Sequence, residues 1–138
     1  MIKRIHHVGI VVRTIDEALP FYRDTLGLEV TLDQVVEDQG VRAVLLRLGD
    51  NELELLEPVR PDTGVARFLE KQGGLHHVCF LTDDIEGEMG RLNAGGVELI
   101  DKEPRIGVAG RICFMHPRAN NGVLIEYAQP LAAEHEPG

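Results

Sequence analysis

A seven-residue segment occurs twice in the chain, and this internal repeat is the feature that most constrains its fold. The segment Ile5–Val11 reads Ile-His-His-Val-Gly-Ile-Val, and it reappears as Leu75–Leu81, Leu-His-His-Val-Cys-Phe-Leu, 70 positions later in a chain of 138 residues. Because this shift is half the chain, the sequence predicts two similar modules that share one domain. We expect a domain over 1–130 with modules at about 1–58 and 74–130, a connector at 59–73 and a flexible tail at 131–138.

Both copies of the repeat are followed by the same order of elements. Capping-box patterns at Thr14–Glu17 and Asp83–Glu86 predict that a helix starts at each place. Each predicted helix ends at a glycine-containing break, at Leu26–Val30 or Gly95–Leu99, after which the pattern of apolar residues predicts a strand. Pro20 falls inside the first helix, which we expect to bend or to start later. Further strands are predicted at Val41–Leu48, Glu52–Glu57, Arg111–Met115 and Gly122–Tyr127, with a short helix at Val65–Lys71. Each module therefore has the order strand, helix, strands.

Charge and cysteine content exclude several kinds of protein. A net charge of -9 argues against binding to nucleic acid or to an anionic membrane, which would repel the chain. No window holds the roughly 18 apolar residues of a membrane helix. Cys79 and Cys113 are the only cysteines, which favours reduced, buried thiols over a disulfide scaffold. We expect a soluble, cytoplasmic protein.

Strand alternation selects one histidine from each His-His pair. Successive side chains of a strand point to opposite faces, so both histidines of a pair cannot enter one site. His6 shares its face with an apolar stripe suited to packing on a helix, whereas His7 lies beside Gly9, which leaves room. The same test selects His77 over His76.

Each module also supplies one carboxylate at an equivalent place. Glu54 lies on the strand face opposite two leucines, and Glu126 stands alone in an apolar strand, 72 positions later, where an uncompensated charge would be costly. Taken singly, His7 and Glu54 would be ordinary structural residues, and Glu126 could pair with an arginine. Their repetition in register favours a metal site of His7, Glu54, His77 and Glu126. This donor set suits a divalent first-row ion such as cobalt, manganese, nickel or zinc.

These segments resemble the vicinal oxygen chelate superfamily, which includes glyoxalase I, extradiol dioxygenases and fosfomycin-resistance proteins, and in particular the methylmalonyl-CoA epimerases. The resemblance spans Ile5–Gln129. It rests on HHVGIVV at 6–12, LELLEP at 53–58, GLHHVCF at 74–80, EPRIGVAGRICFMHP at 103–117 and GVLIEYAQ at 122–129. It implies the same four ligands, an α+β fold of two βαβββ modules whose mixed sheet curls around the metal, and a homodimer.

The resemblance further implies an isomerase that interconverts (2R)- and (2S)-methylmalonyl-CoA by removing the α-proton through a metal-stabilised enolate. Glu126 is expected to be one acid–base group. The epimerases usually carry Glu before a Gln-Gly-Val segment, where this chain has Asp38, so Asp38 or the adjacent Glu37 is the candidate for the second. Alternatives are a glyoxalase I-type lactoylglutathione lyase and a non-catalytic module that binds a small ligand or metal. An extradiol dioxygenase is disfavoured by a fourth ligand, Glu54.

Candidate contacts to an acyl-CoA substrate lie in the second module. The segment Pro104–Arg111 has two arginines and two glycines, so it is suited either to fold over the substrate and meet coenzyme A phosphates or to form a flexible solvated turn. His116 precedes a proline at a strand end, where it either contacts substrate or has no special role. The residues concerned are Arg105, Gly107, Gly110, Arg111 and His116.

Overall fold

The computed structural model describes residues 1–131, so the predicted tail, apart from Leu131, lies outside the described residues. The chain divides into two compact units. One contains His7–His76, and the other contains Met1–His6 together with the chain from His77 onward. Each boundary falls between the two histidines of a His-His pair. The domain bounds given above stay a prediction.

Each module contains four strands. The strands are β1 (Ile2–Val11), β2 (Glu29–Val36), β3 (Val41–Leu48), β4 (Asn51–Pro58), β5 (Gly74–Thr82), β6 (Arg105–Gly107), β7 (Gly110–Met115) and β8 (Ile125–Gln129). The α-helices are α1 (Ile15–Leu19), α2 (Gly64–Lys71) and α3 (Ile85–Ala94). The predicted α+β class, with two βαβββ modules, is confirmed.

Strand pairing is mixed within each module and follows one scheme. In the first module the strand order is β2-β3-β4-β1, and in the second it is β5-β8-β7-β6. The strand that opens each module pairs in parallel with the last strand, while the hairpins are antiparallel. Apolar side chains fill the space between sheet and helix: Ile15, Val44, Leu46 and Leu55 in the first module, and Ile85, Met89, Cys113, Met115 and Tyr127 in the second.

Both module helices start at a side-chain cap. Thr14 Oγ1 accepts a hydrogen bond from Glu17 N at 3.1 Å, as the capping pattern predicts. In the second module the cap is Asp84, whose Oδ1 accepts from Gly87 N at 3.0 Å, one residue later than the predicted box at Asp83. The two helices thus begin at equivalent positions of the repeat.

The last strand of each module also holds the first amide of its helix. Glu57 Oε1 accepts from Ile15 N at 2.8 Å, and Gln129 Oε1 accepts from Ile85 N at 3.0 Å. These amides are among the first-turn donors that a helix leaves without an internal partner. We call this contact the strand–helix clasp; it connects the helix to the strand that carries the predicted carboxylate ligand.

Pro20 changes the type of the first helix. Helix α1 starts where predicted and ends at Leu19, and Pro20–Thr25 continues as a π-helical segment in which Leu26 N donates to Phe21 O at 2.9 Å. Proline lacks a backbone donor, and wider π turns accommodate such interruptions. The helix therefore continues past the proline in another form.

Two predicted strand boundaries are wrong. After the glycine break of the second module, Leu99 makes only an isolated bridge to β7, and the next strand is Arg105–Gly107. Strand β8 begins at Ile125 and not at Gly122, because Asn121 and Gly122 have positive φ angles of 57° and 88° that end a 3-10 turn. Among the described residues, no helix is long and apolar enough to cross a membrane.

Candidate metal centre

His7 and Glu54 form a buried contact in the first module. Strands β1 and β4 run parallel with Gly9 opposite Glu54, which places the glutamate beside the face on which His7 lies. His7 Nε2 is 3.3 Å from Glu54 Oε1, and the two residues are 1% and 5% exposed. His6 is only half-buried, on the other face, as strand alternation predicts.

The second module repeats this arrangement. Strands β5 and β8 run parallel with Cys79 opposite Glu126, the same register as in the first module. His77 Nε2 is 3.0 Å from Glu126 Oε1, and the residues are 7% and 4% exposed. The isolated carboxylate of the sequence pattern therefore lies against an imidazole.

The chemistry of these two pairs fits a divalent metal ion. A buried carboxylate is costly without a positive partner, and a cation shared with an imidazole nitrogen supplies one. Nitrogen and oxygen donors together match the preferences of first-row divalent ions. His7 and Glu54 would hold such an ion from the first module, and His77 and Glu126 from the second. That all four serve one ion stays a prediction.

Phe114 covers the second pair and was not anticipated from the sequence. It lies opposite Glu126 across β7 and β8, and its ring meets the His77 ring edge-on at 5.6 Å. In the first module the residue opposite Glu54 is Leu45. A leucine and a phenylalanine thus occupy equivalent places. This correspondence between the hairpins is the signal that would have identified Phe114.

Asp101 is the second unanticipated residue. Its Oδ2 accepts from Phe114 N at 2.8 Å, and its Oδ1 accepts from Arg105 Nε at 2.8 Å. The Arg105 guanidinium carbon lies 5.8 Å from the centre of the Phe114 ring, within cation–π range. An acid four residues before Arg105 was the only local sign of this arrangement, because the contact to Phe114 spans 13 positions.

The predicted glycine loop is mostly a packed hairpin. Residues Arg105–Gly107 and Gly110–Met115 pair as β6 and β7. A side chain at position 107 would meet Ile112, and one at position 110, where φ is +113°, would meet the carbonyl of Gln129. The backbone therefore requires glycine at position 110, and the buried Ile112 side chain leaves little room at position 107. Arg111 contacts Glu86 on α3 at 3.1 Å. Contacts from this hairpin to substrate stay a prediction.

The two candidates for the second acid–base group lie away from Glu54. Glu37 and Asp38 are exposed in the turn between β2 and β3. Val41, which follows this turn, pairs with Pro58, four positions beyond Glu54 and thus roughly 13 Å along the strand. The structure does not bring them beside the His7–Glu54 pair, and their role stays a prediction.

The remaining candidates have structural contacts. His116 Nδ1 accepts from Arg118 N at 3.2 Å and caps the 3-10 turn. Both cysteines are buried free thiols, as expected. Burial raises the pKa of Cys113 to about 12, which keeps it protonated near neutral pH.

Comparison with known proteins identifies the family. Residues 6–115 match the model of the glyoxalase/bleomycin resistance protein/dioxygenase superfamily. The chain belongs to this superfamily. Its predicted likeness to the epimerases is also confirmed. An ethylmalonyl-CoA/methylmalonyl-CoA epimerase of Cereibacter sphaeroides is 39% identical over 94% of this chain and 99% of its own length.

Solved epimerase structures share the fold of this superfamily member. A methylmalonyl-CoA epimerase in complex with methylmalonyl-CoA and ammonium has a TM-score of 0.94 and 38% identity, over 99% of this chain and 100% of that one. A Streptomyces coelicolor methylmalonyl-CoA epimerase variant in complex with 2-nitronate-propionyl-CoA has the same TM-score, identity and coverage. The similarity in sequence and fold therefore covers nearly the whole chain and is not limited to the segments that contain the predicted metal ligands.

Proposed function

We propose that this protein is a metal-dependent methylmalonyl-CoA epimerase, which interconverts the (2R) and (2S) forms of its substrate. The observation that carries the proposal is the buried His–Glu pair found at equivalent places in both modules. Similarity to epimerases over nearly the whole chain supports the substrate. The enzyme is thus an isomerase that acts on an acyl-CoA thioester.

Four side chains are proposed to hold one divalent ion, cobalt in preference to manganese, nickel or zinc. They are His7, Glu54, His77 and Glu126. When bound, the ion supplies positive charge that stabilises the negative charge developing on the substrate oxygens. The burial of both carboxylates supports this assignment, since each would otherwise be desolvated without a full compensating charge.

Glu126 is proposed to move the α-proton. The hydrogen to be removed lies between the carboxylate and the thioester carbonyl. A carboxylate with a reference pKa near 4 is a weak base, so it needs a buried position from which water is excluded. Glu126 has such a position, because it is 4% exposed and has Phe114 as its neighbour. Asp38 or Glu37 is proposed to return a proton to the opposite face of the same carbon.

Deuterium exchange tests the reaction itself. Metal-loaded protein is incubated with methylmalonyl-CoA in heavy water, and exchange at the α-carbon is followed by NMR together with interconversion of the stereoisomers. We expect both. If the hydrogen stays unexchanged, the epimerase proposal fails. Assaying the hemithioacetal of glutathione in parallel tests the glyoxalase alternative, and bound metal without either activity would indicate a binding module.

Metal stoichiometry tests the single site. His7→Ala and His77→Ala should each remove the whole of a single bound ion, whereas two independent sites would lose half of the metal in each variant. His76→Ala is the matched control, since its side chain lies on the opposite face. Full metal retention in both His7→Ala and His77→Ala would overturn the ligand assignment.

We also propose that the enzyme is a cytoplasmic homodimer. Two buried free thiols support a reducing compartment. Sedimentation equilibrium measures the mass in solution, and a species of 15.3 kDa at micromolar concentration would contradict the dimer.

A further inference from the structure

A charged and aromatic arrangement borders the ligand pair of the second module. Phe114 contacts the His77 ring with one edge, and the guanidinium of Arg105 lies over the Phe114 ring. One aromatic ring therefore separates this cation from the imidazole. Phe114 also lies opposite Glu126 in the sheet. The guanidinium is thus part of the immediate surroundings of the predicted reaction site.

Arg105 is held in place without using all its donors. Its Nε donates to Asp101, and in residues 1–131 its two terminal nitrogens make no hydrogen bond or ion pair. By contrast, Arg42 uses all three nitrogens on acidic side chains, and Arg118 uses two on Glu98. The Arg105 side chain is 37% exposed. An ordered guanidinium with available donors is suited to a carboxylate or phosphate.

Asp101 determines the direction of this guanidinium. Its side chain is 13% exposed, and each oxygen has its own task. One oxygen accepts from the backbone of Phe114 and so fixes the aspartate to β7, while the other accepts from Arg105 Nε. Because Asp101 accepts from Nε alone, the two terminal nitrogens remain for another acceptor. This pre-organisation reduces the entropy lost when an anion binds.

We propose that Arg105 binds an anionic group of the acyl-CoA substrate and that Asp101 is its positioning residue. The proposal rests on the proposed function for the choice of substrate. The anion is either the carboxylate of the acyl group or a phosphate of coenzyme A, since both present paired oxygens. The first module has no such element opposite Glu54, where Leu45 lies.

Binding to three probes distinguishes the two sources. Methylmalonyl-CoA carries both anions, propionyl-CoA lacks the acyl carboxylate, and methylmalonyl-pantetheine lacks the coenzyme A phosphates. Affinity is measured by calorimetry on metal-loaded wild type, Arg105→Gln, Arg105→Lys and the control Arg118→Gln. Arg118 is an arginine of the same module that is also paired with an acid.

We expect Arg105→Gln to bind methylmalonyl-CoA about ten- to a hundredfold more weakly, as for loss of a charged hydrogen bond. Arg105→Lys should recover part of this loss, and Arg118→Gln should bind like wild type. If the loss persists with propionyl-CoA alone, the anion is a phosphate; if it persists with the pantetheine ester alone, it is the acyl carboxylate. Equal losses with both shortened probes, or equal effects in Arg105→Gln and Arg118→Gln, would overturn the proposal.

Asp101→Asn tests the positioning role. The asparagine side-chain oxygen can still accept from Phe114 N, but the side-chain NH2 group that replaces the other oxygen cannot accept from Arg105 Nε. We expect KM for methylmalonyl-CoA to rise severalfold with kcat little changed, and the urea midpoint to remain near that of wild type. Unchanged KM, or a loss of kcat alone, would refute the role of Asp101.

Failure of the proposed anion site at Arg105 can be distinguished from failure of the proposed epimerase function. If wild type binds methylmalonyl-CoA but exchanges no α-proton, the epimerase proposal fails while the Arg105 comparison by calorimetry remains decisive. If wild type binds none of the three probes, the anion site is refuted.

Discussion

The two modules hold the same His–Glu pair in the same strand register and differ in what lies beside it. In the first module Leu45 lies opposite the glutamate, and in the second Phe114 does, with Asp101 and Arg105 attached to it. Both modules therefore offer the same side chains to the proposed metal site. The proposed anion contact is made by residues of the second module.

This comparison extends to contacts that stabilise the modules. Each has a strand–helix clasp and an equivalent ion pair between the third strand and the helix, Arg42 with Asp16 and Arg111 with Glu86, both at 3.1 Å. Both modules therefore share these two scaffold contacts as well as the His–Glu pair. Substitutions at matched positions therefore measure how far the two modules are equivalent.

The largest difference is expected between Glu126→Gln and Glu54→Gln. Loss of the proposed base should lower α-proton exchange about a thousandfold, within the range for general acid–base catalysis. At position 54 an amide oxygen can still serve as a ligand, so we expect a much smaller loss at saturating metal. Exchange in heavy water at matched metal occupancy checks this. Equal losses would mean that both modules take part in the chemistry alike.

The second-largest effect concerns the thiol of Cys113, which should react far more slowly than the thiol of an exposed cysteine. With its pKa raised to about 12 by burial, Cys113 is protonated at pH 8, and the fraction of reactive thiolate is lower by a factor of about a thousand than for an unperturbed thiol. Iodoacetamide labelling located by mass spectrometry should leave Cys113 unmodified in native protein and label it in urea. Rapid native labelling would contradict its burial in the core.

Removing the clasp should destabilise both modules, the first more than the second. Glu57→Ala and Gln129→Ala each leave a first-turn amide without its acceptor, at a cost of about 1–2 kcal/mol in the free energy of unfolding. The carboxylate of Glu57 accepts more strongly than the amide of Gln129. Urea unfolding measures both, with Glu57→Gln as the conservative control. A larger loss for Gln129→Ala would break the expected order.

The smallest effect concerns an ion pair present only in the first module. A hydrogen bond from Arg42 lowers the pKa of Asp33, so folding favours the charged carboxylate. Its stabilisation is present above the unfolded pKa of about 4 and is lost as pH falls through the lower folded value. Asp33→Asn should cost less than about 1 kcal/mol at pH 7 and almost nothing near pH 2, because the pair is partly exposed. A cost that persists at low pH would contradict this electrostatic origin.

Local patterns predicted the scaffold and the buried position of one histidine from each His-His pair well. Strand alternation placed His7 and His77 on the buried face, and the capping pattern located the start of α1 at Thr14. These features depend on neighbours within a few positions. The repeat then supplied the long-range correspondence that a single segment lacks.

The surroundings of the site depended on pairing that local patterns do not specify. Asp101 acts on Phe114 across 13 positions, and the glycines of the predicted loop prove to pack against Ile112 and Gln129. Strand β8 started late because left-handed residues at Asn121 and Gly122 precede it. The contacts of Asp101 and Gly110 reach residues that are distant in the sequence, whereas the late start of β8 comes from the conformation of its neighbours.

The shared register of β1 with β4 and of β5 with β8 has a consequence for how this chain can diverge. From histidine to glutamate the first module spans positions 7 to 54 and the second 77 to 126, a difference of two residues. Nevertheless, Gly9 faces Glu54 just as Cys79 faces Glu126. The difference in length is therefore accommodated between these strands and does not change their register. The segments between these strands can therefore differ in length while each His–Glu pair keeps the same register.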